Sequence, residues 1–169
     1  MRKGVRQTVA GFVIRPERPY SLVAAHISVK ATRHGNFTTA GGGIREGETI
    51  EAAMKRELKE EYGIDADNIL VLEHPPFICT DNGKQYHWCR VLCNGASELI
   101  PQESEVAQAD WWSTCPVTLT TLINRMSPYK ANMFAQVFLQ VLDREPALFG
   151  CFPKELELAV SRFREQIAA

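Results

Sequence analysis

The sequence has few of the features that would place the protein outside the ordinary globular class. Its five cysteines are an odd number without a Cys-x-x-Cys pair, which argues against a disulfide framework and a zinc ribbon. No apolar run approaches the length of a membrane span, and the run at 9–14 is too short for the core of a secretory signal. We therefore expect a protein of the reducing cytoplasm with no membrane partner.

Charge of either sign is also not in excess, because 19 Lys and Arg residues face 20 Asp and Glu residues. A protein that wraps nucleic acid would carry a strong positive field, so only a local basic groove stays open. The 169 residues are 45% hydrophobic and 23% charged. This balance predicts one domain over 1–169, with a core that needs no disulfide or metal to hold it.

Short strands and one central helix are predicted for the first two thirds of the chain. Apolar and β-branched segments between turn residues predict strands at 9–14, 21–29, 37–40, 68–72, 77–80, 85–94 and 109–113. The segment 49–62 predicts a helix, and Gly63 is expected to end it.

Beyond residue 127 the pattern becomes helical. Ser127 and Pro128 are typical of a helix start, and this helix is expected to reach about Arg144. Pro153 begins a final helix. The apolar stripes of the two helices are Met133, Val137 and Val141 in the first, and Leu156, Val160, Phe163 and Ile167 in the second. This order of elements predicts an α/β sandwich in which helices cover a mixed sheet, with a C-terminal helical extension at about 127–169.

The most informative segment is 42–64, where a glycine run precedes the central helix. At 100° per residue, Met54, Glu57 and Glu61 fall on one stripe of the helix, whereas Lys55 and Lys59 point the other way. Two carboxylates are therefore predicted on the face that packs against the protein. An unpaired charge is costly there and must be neutralised by a proton, an arginine or a cation.

The residue types in this segment favour a particular chemistry. Clustered carboxylates such as Glu57, Glu60 and Glu61 suit a hard divalent cation, and magnesium usually adds substrate phosphates to such a set. The glycines at 41–43 allow a close approach of the backbone, and the helix start could frame a pyrophosphate. The residues alone thus predict metal-assisted hydrolysis of a phosphoanhydride.

The segment 42–64 resembles a complete Nudix box. It reads Gly42, five residues, Glu48, seven residues and then Arg56 through Ile64, with all fixed positions present. The resemblance implies an α/β/α sandwich with a mixed sheet, and a hydrolase of nucleoside diphosphate–X substrates that depends on Mg²⁺ or Mn²⁺. Two positions depart from the usual pattern: Ala40 stands where proline is common, and Phe37 where tryptophan is common. These changes are expected to reshape the edge of the pocket.

The resemblance also implies roles for single residues. The implied metal ligands are the carbonyl of Gly41 and the carboxylates of Glu57, Glu60 and Glu61. Glu57 and Glu60 are assigned to catalysis as well. Arg56 is counted with them, although its expected task is to orient the loop and the helix by pairing with Glu48. The proton acceptor is left open between a box glutamate and the later Glu103 or Glu105.

Substrate contacts are predicted outside the box for Glu105, Arg33 and Trp88. An aromatic ring such as that of Trp88 can stack on a base, and core packing is the alternative. The histidines, His26 among them, match no zinc spacing and are interpreted as surface or core residues.

The substrate itself is less well defined by the sequence. A nucleoside or deoxynucleoside triphosphate is ranked first, because no accessory signature indicates a bulkier X. Dinucleoside polyphosphates, nucleotide sugars and RNA 5′ ends stay open, and nucleic acid is expected as a partner only as such an end. A non-catalytic nucleotide sensor is the alternative of another class, and it would be favoured by loss of metal glutamates, none of which is lost. A homodimer through the C-terminal helices also stays open.

Overall fold

A computed structural model describes residues 4–30, 35–72, 77–79, 83–94 and 98–168, without the side chains of 77–79, 167 and 168. The strands in these residues are β1 (Arg6–Arg15), β2 (Leu22–Ser28), β3 (Gly41–Gly43), β4 (Asn68–Val71), β5 (Phe77–Cys79), β6 (Lys84–Leu92) and β7 (Val106–Ser113). The helices are α1 (Ile50–Tyr62), α2 (Pro116–Asn124), α3 (Pro128–Arg144) and α4 (Pro153–Ala168), with a 3-10 turn at Pro146–Phe149.

The strands form one mixed sheet in the order β4-β6-β1-β2-β7, with β3 paired to β1 and β5 paired to β6. Strands β1 and β6 run parallel along their whole length, and the other pairs are antiparallel. On its other edge β1 pairs with β2 only at Ile14 and Arg15, and with β3 from Thr8 to Ala10. Two strands therefore share this edge of β1, and the glycines of β3 pair with the N-terminal half of β1.

Alternating side chains of β1 divide the core into two layers. Phe12 and Ile14 lie in the cluster under the C-terminal helices, whereas Val9 and Val13 lie in the cluster under α1. The members from α1 are Ala53, Met54, Leu58 and Tyr62. Helices thus cover both faces of a mixed sheet, which confirms the predicted α/β fold with additional C-terminal helices.

Helix α1 begins and ends where the sequence predicts. The side chain of Thr49 accepts a hydrogen bond from the first turn, and Gly63 ends the helix in the left-handed conformation at φ 67°. Met54, Glu57 and Glu61 are 0%, 6% and 8% exposed, as expected for one buried stripe. The helix therefore presents two carboxylates toward the protein interior.

The strand predicted at 37–40 is wrong. Residues 37 and 38 form only isolated bridges, and the strand lies on the glycines themselves. A Cβ on Gly41 would lie 2.2 Å from the carbonyl oxygen of Val9, so a side chain would push β3 away from β1. Helix α2 was not predicted, although Leu119, Leu122 and Ile123 bury one of its faces.

The C-terminal helices pack on their own sheet. The buried residues of α3 include the predicted stripe Met133, Val137 and Val141, together with Phe134 and Phe138. In α4, Leu156, Val160 and Phe163 are buried, and the side chain of Ile167 lies outside the described set. The apolar face that suggested a homodimer is thus covered within the chain, and the homodimer stays a prediction. In the described part of the chain, no helix is both long and apolar enough to cross a membrane.

Candidate active site

A cavity of about 730 Å³ opens beside the glycine strand β3. Its walls come from β1, β2, β3, β6, the second half of α1, the first turn of α3 and the segment before β7. The sequence-predicted residues that line it are Gly41, Arg56, Glu57, Glu60, Glu61 and Glu105. The fold therefore gathers these residues in one place, although Gly41 and Glu105 lie far apart in the chain.

Two predicted substrate contacts are not part of this wall. Trp88 is only 5% exposed and belongs to the core cluster under the C-terminal helices. On β6 its side chain is on the same face as that of Tyr86, and its ring belongs to the core cluster that includes residues of α3, which is the core-packing alternative. Arg33 lies outside the described residues.

Arg56 joins the loop after β3 to helix α1. Its Nε and Nη2 donate to the two carboxylate oxygens of Glu48 at 2.9 and 3.0 Å, and Nη2 also donates to the carbonyl of Gly43 at 3.0 Å. Glu48 accepts a further hydrogen bond from the Arg45 N–H at 2.9 Å. Hydrogen bonds from Arg56 and Arg45 lower the pKa of Glu48 to about 2. This is the pairing that the sequence predicts, and it fixes the loop against the helix.

The same guanidinium reaches two of the three clustered glutamates. Nη1 of Arg56 donates to Glu57 Oε1 and, at 3.3 Å, to Glu60 Oε2. Nη2 of Arg45 lies 3.6 Å from the other carboxylate oxygen of Glu60, Oε1. Burial raises the pKa of Glu57, although the arginine acts against that shift. Arg56 thus orients Glu57 and Glu60 toward the cavity and partly balances their charge.

Glu61 has a different environment, without an arginine. Its Oε2 accepts the N–H of Gly41 at 2.8 Å, and its Oε1 lies 3.6 Å from Nε2 of His26. Burial raises the pKa of Glu61 to about 8 and lowers the pKa of His26 to about 4. The contact between them is therefore one between neutral groups near pH 7, and a cation in the cavity would favour the ionised carboxylate.

Two residues of this site were missed by the sequence analysis. His26 was interpreted as a surface or core residue, yet it lines the cavity, and its Nδ1 lies 3.0 Å from the Tyr62 hydroxyl. Lys130 of α3 also lines the cavity, and its Nζ donates to Thr38 Oγ1 at 2.8 Å. A signal for Lys130 was present, because it precedes the buried Phe134 by four residues and so places a charge on an apolar stripe.

The donors in this cavity fit a hard divalent cation. Within the described ranges, no three His, Cys, Asp or Glu side chains form a ready-made metal cluster, because arginine and backbone groups hold the carboxylates. The donors are nevertheless oxygen atoms, and the burial that raises the pKa of Glu57 and Glu61 is a penalty that a cation offsets. Gly42 leaves the necessary room, since a Cβ there would lie 2.2 Å from Glu57 Oε1.

Comparison with known proteins agrees with this geometry. The pattern of the NUDIX domain family matches residues 4–137. A curated relative, the NAD-capped RNA hydrolase NudC of Vibrio vulnificus, is 33% identical over 87 residues, which are 48% of this chain and 30% of that protein. The chain therefore spans about a third of the length of the curated relatives it matches.

Solved structures share the fold at low sequence identity. The NUDIX domain of Shewanella oneidensis NrtR, complexed with ADP ribose, has a TM-score of 0.64 at 16% identity and covers 82% of this chain and 90% of its own. A C. elegans Ap4A hydrolase binary complex has a TM-score of 0.56 at 14% identity and covers 97% and 98%. These likenesses concern the fold alone. Since the family pattern spans most of the sequence and the box lies in the cavity, this chain belongs to the Nudix hydrolase family.

Proposed function

We propose that the protein hydrolyses a nucleoside or deoxynucleoside triphosphate to the monophosphate and pyrophosphate, using Mg²⁺ or Mn²⁺. The observation that carries this proposal is the convergence of three glutamates and a glycine strand in one cavity. Glu57 and Glu61 are buried there with raised pKa values, so the site is electrostatically prepared for a cation and its phosphates.

In the proposed reaction, the oxygen of a water molecule bonds to a phosphorus of the substrate. The bond from that phosphorus to the bridging oxygen breaks, and the bridging oxygen leaves with the electron pair as part of the second product. One proton of the water passes to a base of the protein. Atoms and charge then balance without any further reactant.

We assign the metal-binding role to Glu57, Glu60, Glu61 and the carbonyl of Gly41. A divalent cation bound there supplies charge stabilisation for phosphate oxygens and makes bound water more acidic. The task of Arg56 is to hold Glu57 and Glu60 in place through the hydrogen bonds already described. Glu57 and Glu60 thus act in catalysis by binding the cation that stabilises the charge of the substrate phosphates.

We assign proton acceptance to Glu105. Its carboxylate lines the cavity and, in the described part of the chain, makes no hydrogen bond or ion pair. The three box glutamates, in contrast, are engaged by Arg56, Arg45 or the backbone of Gly41. After burial and the charge of Glu57, the charge of Glu105 further raises the pKa of Glu61, so it lies within electrostatic reach of the acidic wall.

The test is a substrate panel with product analysis by mass spectrometry in ¹⁸O-labelled water. Nucleoside triphosphates should show the highest kcat/KM, and the labelled product should identify the phosphorus that water attacks. Turnover of no phosphoanhydride with either Mg²⁺ or Mn²⁺ would overturn the proposal. The Glu105→Gln variant should lower kcat, whereas Glu103→Gln, at an exposed neighbouring position, is the control and should stay close to the parent.

A second candidate is a dinucleotide with a central pyrophosphate, either free or at an RNA 5′ end. It is favoured by the relative named for NAD-capped RNA hydrolysis, which is 33% identical over the matched part. The products discriminate the two candidates, since an NAD-type substrate yields two mononucleotides and no free pyrophosphate. A higher kcat/KM for the dinucleotide than for nucleoside triphosphates would show that the dinucleotide is the preferred substrate.

A further inference from the structure

The cavity has a second charged wall, built from the neighbouring strands β1 and β6. Arg6 and Lys84 are direct partners in the parallel pairing of these strands, and Thr8 and Tyr86 are the next partners on the same face. This is the face that carries Phe12 into the cluster under α3. The cationic pair therefore lies on the α3 side of the sheet.

A third cation joins them from the first turn of α3. Nζ of Lys130 is held by Thr38 Oγ1 at 2.8 Å and lies 5.7 Å from the centre of the Tyr86 ring. Arg6, Lys84 and Lys130 all line the cavity. We call these three residues the cationic wall.

The cationic wall and the glutamates flank β3 on opposite sides. A Cβ on Gly42 would meet the carboxylate of Glu57, whereas a Cβ on Gly43 would lie 2.7 Å from Nη2 of Arg6. Consecutive residues of a strand point to opposite faces, so the two walls belong to opposite faces of the sheet. The positive charge of Lys130 still lowers the pKa of Glu61, which shows that the two walls lie within electrostatic reach.

Two of the three residues of the cationic wall have no carboxylate partner among the described residues. Over the described ranges, neither Arg6 nor Lys130 forms an ion pair. Burial and then the charge of Lys84 lower the pKa of Lys130, so the two ammonium groups repel each other. The Thr8 hydroxyl beside them is buried, and no described group forms a hydrogen bond with it. Like charges placed side by side are destabilising, and an anion between them would remove that repulsion.

We propose that the cationic wall binds a phosphate group beyond the two that flank the scissile bond, such as the terminal phosphate of a triphosphate. Arginine offers paired donors to phosphate oxygens, and lysines act as point charges on the same group. The assignment of the anion to a substrate rests on the proposed function. The binding of a polyphosphate by these three residues does not depend on the proposed function.

The first experiment measures binding without catalysis. Inorganic triphosphate is titrated calorimetrically into the metal-stripped full chain, so that the result is independent of turnover. Lys130→Met and Lys84→Met should each weaken binding by about tenfold or more, and Lys130→Arg should stay within about threefold of the parent. Lys154→Met is the matched control, because Lys154 is an exposed residue of α4 outside the cavity. Equal affinity of the parent and Lys130→Met, or an equal loss in Lys154→Met, would overturn the proposal.

The second experiment tests specificity with Mg²⁺ present. Lys130→Met should raise KM for a nucleoside triphosphate by about tenfold and leave its kcat within about threefold. The same variant should leave KM for a nucleoside diphosphate sugar nearly unchanged, and an equal rise for both substrates would contradict a third-phosphate site. If no substrate is turned over, the proposed function fails, while the calorimetric result still decides the anion site. Thermal melts check folding, and Lys84→Met provides the same test if Lys130→Met does not fold.

Discussion

Arg56 and Glu48 form a two-pronged ion pair, with Nε and Nη2 2.9 and 3.0 Å from the two carboxylate oxygens. The pair joins the loop after the glycine strand to the middle of helix α1. Arg56 also holds the carbonyl of Gly43 and the carboxylates of Glu57 and Glu60. Loop position and glutamate orientation therefore depend on one guanidinium group.

Replacing Glu48 by alanine is expected to affect both folding and catalysis. The variant should melt at a lower temperature, and its kcat/KM should fall by about tenfold or more, because Arg56 loses two of its acceptors. The matched control is Glu51→Ala, which removes only an exposed pair with Lys55 at 3.2 Å and should change neither quantity much. Thermal melts and steady-state kinetics measure both. An unchanged melting temperature for Glu48→Ala would show that the pair does not hold the loop.

Gly42 is expected to matter for catalysis more than for stability. An alanine Cβ would lie 2.2 Å from Oε1 of Glu57, which is the far end of a flexible side chain. The substitution should therefore displace the carboxylate and lower kcat by about tenfold or more, with a small change in melting temperature. Gly4→Ala is the control, because nothing lies within 4 Å of a Cβ at that position. Parent-like kcat in Gly42→Ala would mean that the position of Glu57 is not critical.

The stability of the metal-free protein should depend on pH through Glu61. Burial raises the pKa of Glu61 from 4.5 to about 8, so the folded chain keeps a proton that the unfolded chain releases. The free energy of unfolding should then fall as pH rises between about 4.5 and 8. His26 acts in another window, because its lowered pKa makes stability fall as pH drops from 6.5 toward about 4.

Urea unfolding at pH 6.5 and pH 8 isolates the contribution of Glu61. Between these pH values the free energy of unfolding of the parent should fall by on the order of 1–2 kcal/mol more than that of Glu61→Gln. The variant should be the more stable protein at pH 8. The same variant should be nearly inactive, because glutamine is a poor ligand for a divalent cation. An identical pH response of parent and variant would mean that Glu61 is not protonated in the folded chain.

Magnesium is expected to reverse the loss of stability that the metal-free protein shows as its buried carboxylates ionise. Addition of Mg²⁺ should raise the melting temperature more at pH 8 than at pH 6, because the cation favours ionised carboxylates at Glu57 and Glu61. Excess chelator should abolish turnover and leave the circular dichroism spectrum unchanged. Full activity in chelator would refute the metal-dependent mechanism.

Helix α1 could be predicted because its signals are local. Thr49 caps it, Gly63 ends it in a left-handed conformation, and the stripe with Glu57 and Glu61 follows from the helical period. Strand β3 could not be predicted in the same way. Its position depends on how closely Gly41 approaches Val9, which is a contact between distant parts of the chain.

For the same reason, some residues of the cavity wall could be predicted from the sequence and others could not. The glutamates lie in one contiguous segment, so their pattern alone predicts their chemistry. His26 and Lys130 reach the cavity from β2 and α3, and the tertiary fold brings them within electrostatic reach of Glu61. Trp88 was predicted to contact the substrate, but it lies in the core. The sequence of a strand does not indicate which of its two faces a helix will cover.

An ion pair between a buried arginine and a partly exposed glutamate ties the C-terminal helices to the sheet. Arg90 of β6 is 7% exposed, and its Nε and Nη2 donate to Glu145 at 2.8 and 3.0 Å, while Nη1 donates to Asn68 at 2.7 Å. Glu145 follows α3 directly, so this contact fixes the end of that helix. None of the three residues lines the cavity.

Glu145→Ala should lower the free energy of unfolding by roughly 3 kcal/mol, because it leaves a buried guanidinium without its carboxylate. Arg90→Met together with Glu145→Ala should recover much of that loss, since the uncompensated charge is then absent. Denaturant unfolding of the parent, both single variants and the double variant measures the coupling directly. Arg144→Ala, at an exposed neighbouring position, is the control and should stay close to the parent. Activity per folded molecule should be the same in all five proteins. Additive losses in the double variant would show instead that Arg90 and Glu145 contribute independently to stability.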